Sequence, residues 1–217
     1  MGGKIIGLTG TYCAGKNHVA GLLERRGLAV LDVDKLGHRA IVEEKEAIVA
    51  RFGTGMLGVA GDVDRRRLGA RVFGRPAELA ALEAIVHPAA NRLTLQWIDA
   101  QGDKPCVVNA ALLHRSCVFE RLDAVILVKA PLLTRLLRAK RRDKLPWGAL
   151  IRRFASQKGF ISRYKNKNFL GTADRYVISN RGCPVFPSRL LERALERRID
   201  EILEKEGILA RGPLMIP

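Results

Sequence analysis

The sequence predicts an α/β fold: a five-stranded parallel sheet flanked by helices. Short apolar runs alternate with helix-period segments along most of the chain. These runs are continuous and not alternating, as buried parallel strands require. A glycine-bearing loop joins the first run directly to a helix, and a long all-helical stretch separates the second run from the third.

In chain order the expected strands are residues 4–8, 29–33, 105–109, 124–129 and 175–179. Helical periodicity marks 15–26 after the first strand, then 40–52, 64–73 and 76–100 before the third. Segments 132–142 and 146–158 follow strand four, and 188–206 comes last. Strands alternating with helices give βαβ units with right-handed crossovers. The expected organisation is a core of 1–39, 101–134 and 174–206, a helical insertion at 40–100, a basic lid region at 135–173 and a tail at 207–217. Ligands of open α/β sheets bind beyond the carboxyl ends of the strands, so the insertion is expected to cap a site.

Composition narrows the function. No apolar run reaches the roughly 20 residues of a membrane helix. The start MGGKIIGLTG is too short and glycine-broken for a signal peptide, which makes the cytoplasm the expectation. Cys13, Cys106, Cys117 and Cys183 form no C-x-x-C pair and are expected to be reduced thiols. The net charge is +16, and 13 Lys/Arg against two acids between Arg135 and Arg175 supply most of it. That density points to anionic partners, either phosphorylated small molecules or RNA.

The stretch GLTGTYCAGKNHVA, residues 7–20, carries Gly10, Gly15 and Lys16 at the spacing G-x-x-x-x-G-K. Such a loop aims backbone N–H groups at phosphates, backed by the positive end of the next helix. Asn17 stands where Ser or Thr usually closes the pattern. Strand before and helix after favour a phosphate cradle over a plain glycine turn, with Gly10, Thr11, Tyr12, Cys13, Ala14, Gly15, Lys16 and Asn17 around ATP. His18, in the same stretch, is counted with them around ATP but has no chemical role of its own. Cys13 would sit among inward N–H groups at a helix start, an environment that lowers a thiol pKa, but an inert thiol shielded by bound nucleotide is the favoured reading.

Beyond the loop come VLDVDKLGH, VDRRRLGARVF, LEAIVHPAA, NAALLHR, DAVILVKAP, LRAKRRD, RFASQ and ADRYVISNRG. In this order and spacing the chain resembles the dephospho-coenzyme A kinases, P-loop kinases that phosphorylate the ribose 3′-hydroxyl of dephospho-CoA. The resemblance spans about residues 4 to 182. It implies a P-loop kinase fold with a helical substrate-binding insertion and a lid, ATP and Mg²⁺ as cofactors, and a monomer or weak oligomer needing neither membrane nor specific nucleic acid. It implies that Lys16 grips the phosphates, Asp34 is the catalytic aspartate, and Arg142 lies at the lid near the phosphates. Arg65, His87, Leu112 and Leu113 would contact dephospho-CoA, and Asn180 with Gly182 would pass the adenine. Thr11 and Cys13 replace usual glycines, Asn17 a usual Ser, and Asn109 an acid often found there; Ala111 to Arg115 lack the Pro and Glu of the usual PLL-x-E.

The residues argue the same way. Asp34 follows a strand at the carboxyl edge, where a carboxylate can take a hydroxyl proton as attack proceeds; a helix cap is the plainer reading. Asp32, two residues earlier, is expected on the same strand face as a structural or metal-side acid. On 132–142, Leu132, Leu133, Leu136 and Leu137 share one face, with Arg135, Arg138 and Arg142 opposite. Those arginines face either polyphosphate or water. His87, before Pro88, touches substrate or ends a helix. Asn17 offers a hard carbonyl oxygen and, being longer than Ser, is expected to reach Mg²⁺ through a water. Another nucleoside or nucleotide kinase and an RNA-associated P-loop protein are the alternatives.

Overall fold

The computed structural model describes residues 2–155, 159–160, 164, 171–182 and 188–209. The last part of the expected helix 146–158, Ser156 and Gln157 of RFASQ, much of the expected lid, Cys183 and most of the C-terminal tail lie outside the described residues. The chain forms two compact units, Met1–Val30 with Asp103–Pro217, and Leu31–Gly102.

Five strands form one sheet: β1 Ile5–Gly10, β2 Ala29–Asp32, β3 Cys106–Asn109, β4 Ala124–Lys129 and β5 Asp174–Ser179. Their order is β2-β3-β1-β4-β5. Central β1 pairs in parallel with β3, Leu8 opposite Asn109, and with β4, Gly10 opposite Val128. The apolar runs follow from this placement. Ile6, Leu8, Val107, Ile126 and Val128 are fully buried, each worth about 1.5–3 kcal/mol of transfer free energy.

In the first unit, helix α1 (Lys16–Glu24) buries Val19, Leu22 and Leu23 in the same core as Ile199, Ile202 and Leu203 of the last described helix, Arg189–Lys205. Just past that helix Glu206 is buried. It accepts hydrogen bonds from Tyr176 Oη at 2.6 Å and Lys4 Nζ at 2.8 Å. Burial first, then Glu206, pushes the Tyr176 phenol well above its ordinary value; the Glu206 hydrogen bond outweighs burial to raise Lys4. Both groups hold their protons more tightly when folded. Their contribution is therefore complete below about pH 10 and is lost as pH rises through the folded values. Urea midpoints are expected to fall more steeply between pH 9 and 11 for the wild type than for Tyr176→Phe; parallel curves would rule this linkage out.

The second unit is helical: α2 Val33–Glu43, α3 Lys45–Phe52, α4 Arg65–Val72 and α5 Pro76–Asp99. Ala40, Ile48, Phe52, Leu68, Val72, Val86 and Ala89 form its core. Asp64 caps α4, accepting from the backbone N–H of Arg66 and Arg67. Pro76 opens α5 at the position where a missing N–H costs nothing.

Three expectations need correction. The helix expected at 40–52 is two helices broken at Glu44, and the first begins at Val33. Gly37 and the polar residues around it hid that start, although Leu36 and Ala40 mark its buried face. Asp32 and Asp34 do not share a strand face, because the strand ends at Asp32 and Asp34 is in the first helical turn. His87 does not end a helix: α5 runs on through Pro88.

Candidate active site: a phosphate loop braced by arginines

The loop after β1 leads into Lys16, the first residue of α1. Gly15 has φ 90°, and a Cβ there would come within 2.3 Å of Asn180 Nδ2, so only glycine fits. A Cβ on Gly10 would approach the Val128 carbonyl oxygen to 2.7 Å. The first turn of α1 has neither a side-chain cap nor an acidic residue, which leaves its positive end to an anion. Cys13 holds φ 57° without being glycine, a conformation that costs a side-chain-bearing residue about 1–2 kcal/mol. Burial pushes its thiol up, against the pull of Arg142 and Arg135. Desolvation exceeds the field of the neighbouring charges here, in line with the inert thiol and not with a reactive one.

Helix α6 (Leu132–Asp143) turns its arginines onto this loop. Arg135 Nε donates to the Tyr12 carbonyl at 2.8 Å. Arg138 donates to the carbonyls of Ala14 at 2.8 Å and Gly182 at 2.6 Å, and to Asn180 Oδ1 at 3.0 Å. Water is therefore not what Arg135 and Arg138 face; Leu132 and Leu133 are the exposed residues, at 59% and 69%. Arg138 links the cradle to the segment after β5, where the sequence offered it polyphosphate or water and not the backbone carbonyls it meets. Arg138→Ala removes several charge-assisted bonds. It is expected to raise KM for ATP about tenfold or more, with a smaller change in kcat. Steady-state kinetics against ATP would check this; an unchanged KM would make Arg138 a structural residue of α6 alone.

Arg142 ends the row. Its Nε donates to Asp143 Oδ1 at 2.7 Å, and its guanidinium lies 5.2 Å from the Tyr12 ring centroid. Tyr12 Oη donates to Asp143, and Arg153 of helix α7 (Trp147–Ala155) reaches the same carboxylate at 3.3 Å. Arg142 holds the Asp143 carboxyl below the usual carboxylate range, against burial. Phe154 packs edge-on against Tyr12 and under Arg135.

Asn17 Oδ1 accepts from Asn109 Nδ2 at 3.3 Å. Asn180 is buried and its backbone N–H bonds to Lys129. The His18 ring turns to Glu192, 2.9 Å away, and its backbone N–H donates to the Gly15 carbonyl. Of the leucine pair expected at the substrate, Leu113 is fully buried and Leu112 is 51% exposed. Tyr164, fully buried, accepts from the His114 backbone N–H at 3.1 Å.

In the second unit, Asp34, Arg65 and His87 are exposed. Arg65 opens α4 and lines a cleft of about 450 Å³ with His38, Arg39, Val42 and Val63.

A parallel sheet of this order with a lysine-bearing phosphate loop after its first strand defines a P-loop kinase. The shikimate kinase of Bacteroides thetaiotaomicron shares the fold, with TM-score 0.51 at 14% identity, covering 93% of this chain and 98% of that one. So does the dephospho-CoA kinase of Campylobacter jejuni, with TM-score 0.63 at 22% identity over 93% and 96%. The chain belongs to the dephospho-CoA kinase family (CoaE), whose model matches residues 4–180. It is 35% identical over 208 residues to the dephospho-CoA kinase of Geobacter sulfurreducens, covering 93% of this chain and 98% of that one. A solved protein of Thermus thermophilus superposes with TM-score 0.72 at 33% identity, covering 93% and 99%.

Proposed function

We propose that this chain transfers the γ-phosphoryl group of ATP to the ribose 3′-hydroxyl of dephospho-CoA, giving coenzyme A. The match of the dephospho-CoA kinase family model over residues 4–180 carries this reading. Asp34 takes the proton of the 3′-hydroxyl as its oxygen attacks the γ-phosphorus and the bond to the β-phosphate oxygen breaks. Lys16 and Arg142 neutralise charge on the transferring group. The loop Gly10 to Asn17 cradles the phosphates, and Asn180 and Gly182 pass the adenine. Arg65, His87 and Leu112 receive dephospho-CoA, and residues 135–173 act as a basic lid.

Asn109 fits a divalent ion: its buried Oδ1 has no hydrogen-bond partner among the described residues, and an amide oxygen is a hard donor of the kind Mg²⁺ accepts. No group of three or more His, Cys, Asp or Glu able to hold a metal occurs among the described residues. Asn17 and Asn109 would hold the ion, which would supply positive charge to neutralise the nucleotide phosphates.

An RNA-associated role needs exposed aromatics in the basic segment. Phe154 is packed on Tyr12 and Tyr164 is buried, which leaves Trp147, 52% exposed and stacked by Lys140, as the one exposed large aromatic of that segment among the described residues, a thin basis for base stacking. No described helix is long and apolar enough to cross a membrane; the proposed setting is the cytoplasm. Radiolabelled ATP offered with dephospho-CoA, AMP, adenosine or shikimate should label dephospho-CoA alone, and preferred labelling of another acceptor would refute the assignment.

A further inference from the structure

P-loop sites hold the nucleotide's metal with the hydroxyl of the Ser or Thr after the lysine and an acid on a neighbouring strand. Here both places carry asparagine. Asn17 follows Lys16 at the start of α1, and Asn109 ends β3, the strand paired with β1. The two side chains touch, Asn109 Nδ2 donating to Asn17 Oδ1 at 3.3 Å. Asn109 is 2% exposed. Its Oδ1 is one of four buried side-chain oxygens without a partner among the described residues; Thr11 Oγ1, in the phosphate loop, is another. A buried amide oxygen left unsatisfied is costly, and the one on Asn109, beside Asn17 of the loop, points to a ligand that completes it.

We propose that Asn17 and Asn109 act as one neutral amide pair. Asn109 presents Oδ1 to the hydrated divalent ion that accompanies the nucleotide, and Asn17 fixes the orientation of that amide by accepting its N–H. The inference rests on reading the loop as a nucleotide cradle. It changes the role expected of Asn17, whose oxygen already serves Asn109 and which orients the oxygen that meets the ion. It also has an electrostatic consequence. An amide oxygen carries no net charge, so the pair lends the ion no anionic ligand. The ion is recruited by the nucleotide phosphates and leaves with them.

Mn²⁺ titrations followed by electron paramagnetic resonance test this on the full chain, with and without ADP. The wild type should bind Mn²⁺ only with ADP present. Asn109→Ala and Asn17→Ala should each weaken Mn²⁺ in the ADP complex by roughly tenfold, and the double variant should be no worse than either single one, as expected of a coupled pair. Asn17→Ser with Asn109→Asp restores hydroxyl and carboxylate; it should tighten Mn²⁺ and give binding without nucleotide. ADP affinity in EDTA, measured in parallel, should stay within about twofold of the wild type in Asn109→Ala, which lies outside the loop, the span of context effects on a site left intact. Wild-type Mn²⁺ affinity in Asn109→Ala would overturn the proposal. If that variant fails to fold, no gain of Mn²⁺ affinity in the Ser/Asp variant would do so. ADP binding with unaltered Mn²⁺ binding refutes only the amide pair, whereas no ADP binding by the wild type refutes the cradle as well.

Discussion

Lys16→Ala is expected to lower turnover by at least about 10²–10³-fold while leaving the protein folded. Lys16 opens α1 directly after Gly15, whose left-handed backbone lets the loop pass Asn180. The first turn there carries no acidic side chain to compete with phosphate. A cation at this point gains most when negative charge spreads over the transferring oxygens, so its loss falls on kcat more than on KM. The core beneath it, Val19, Leu22 and Leu23, is untouched, and an unchanged melting curve would verify that. Wild-type turnover in a folded Lys16→Ala protein would take the cradle out of the reaction.

Asp34→Asn is expected to lower kcat by about 10²–10⁴-fold with ATP affinity nearly unchanged. Asparagine keeps the shape and loses the base. Asp34 is exposed in the first turn of α2, where removing a carboxylate disturbs little packing. Asp32 is the internal control. It ends β2, lies 3.8 Å from Lys35 Nζ and has one oxygen buried without a partner among the described residues. Asp32→Asn should cost stability more than kcat. If it proves the more damaging of the two for kcat, the assignment is reversed.

How far the sequence shows this follows from where each signal comes from. Strands buried on both faces produce continuous apolar runs, so β1 to β5 stand within two residues of their expected ends. The cradle was legible because Gly10, Gly15 and Lys16 are close in sequence and each has a backbone reason to be there. The orientation of α6 was not. The pattern left its arginines facing polyphosphate or water, and Arg135 and Arg138 turn inward because carbonyls of Tyr12, Ala14 and Gly182, far away in the chain, receive them. Amphipathic pattern reports apolar burial and is blind to a guanidinium buried against backbone oxygens. The link of Asn17 to Asn109 was hidden for a related reason. Each departure was visible alone, but the hydrogen bond joins residues 92 apart in sequence. The early start of α2 was masked by Gly37, a poor helix former inside the helix.

The most direct test of the central claim is where the phosphate goes. Dephospho-CoA carries a free vicinal 2′,3′-diol on its ribose, and phosphorylation of the 3′-oxygen removes it. The purified protein would be incubated with γ-labelled ATP, a divalent salt and dephospho-CoA, and the labelled product treated with periodate, which cleaves only an intact diol. The expected result is label in a nucleotide product that resists periodate, formed with one ADP per phosphate transferred. Label confined to inorganic phosphate, or carried on a product whose diol periodate still cleaves, would contradict it.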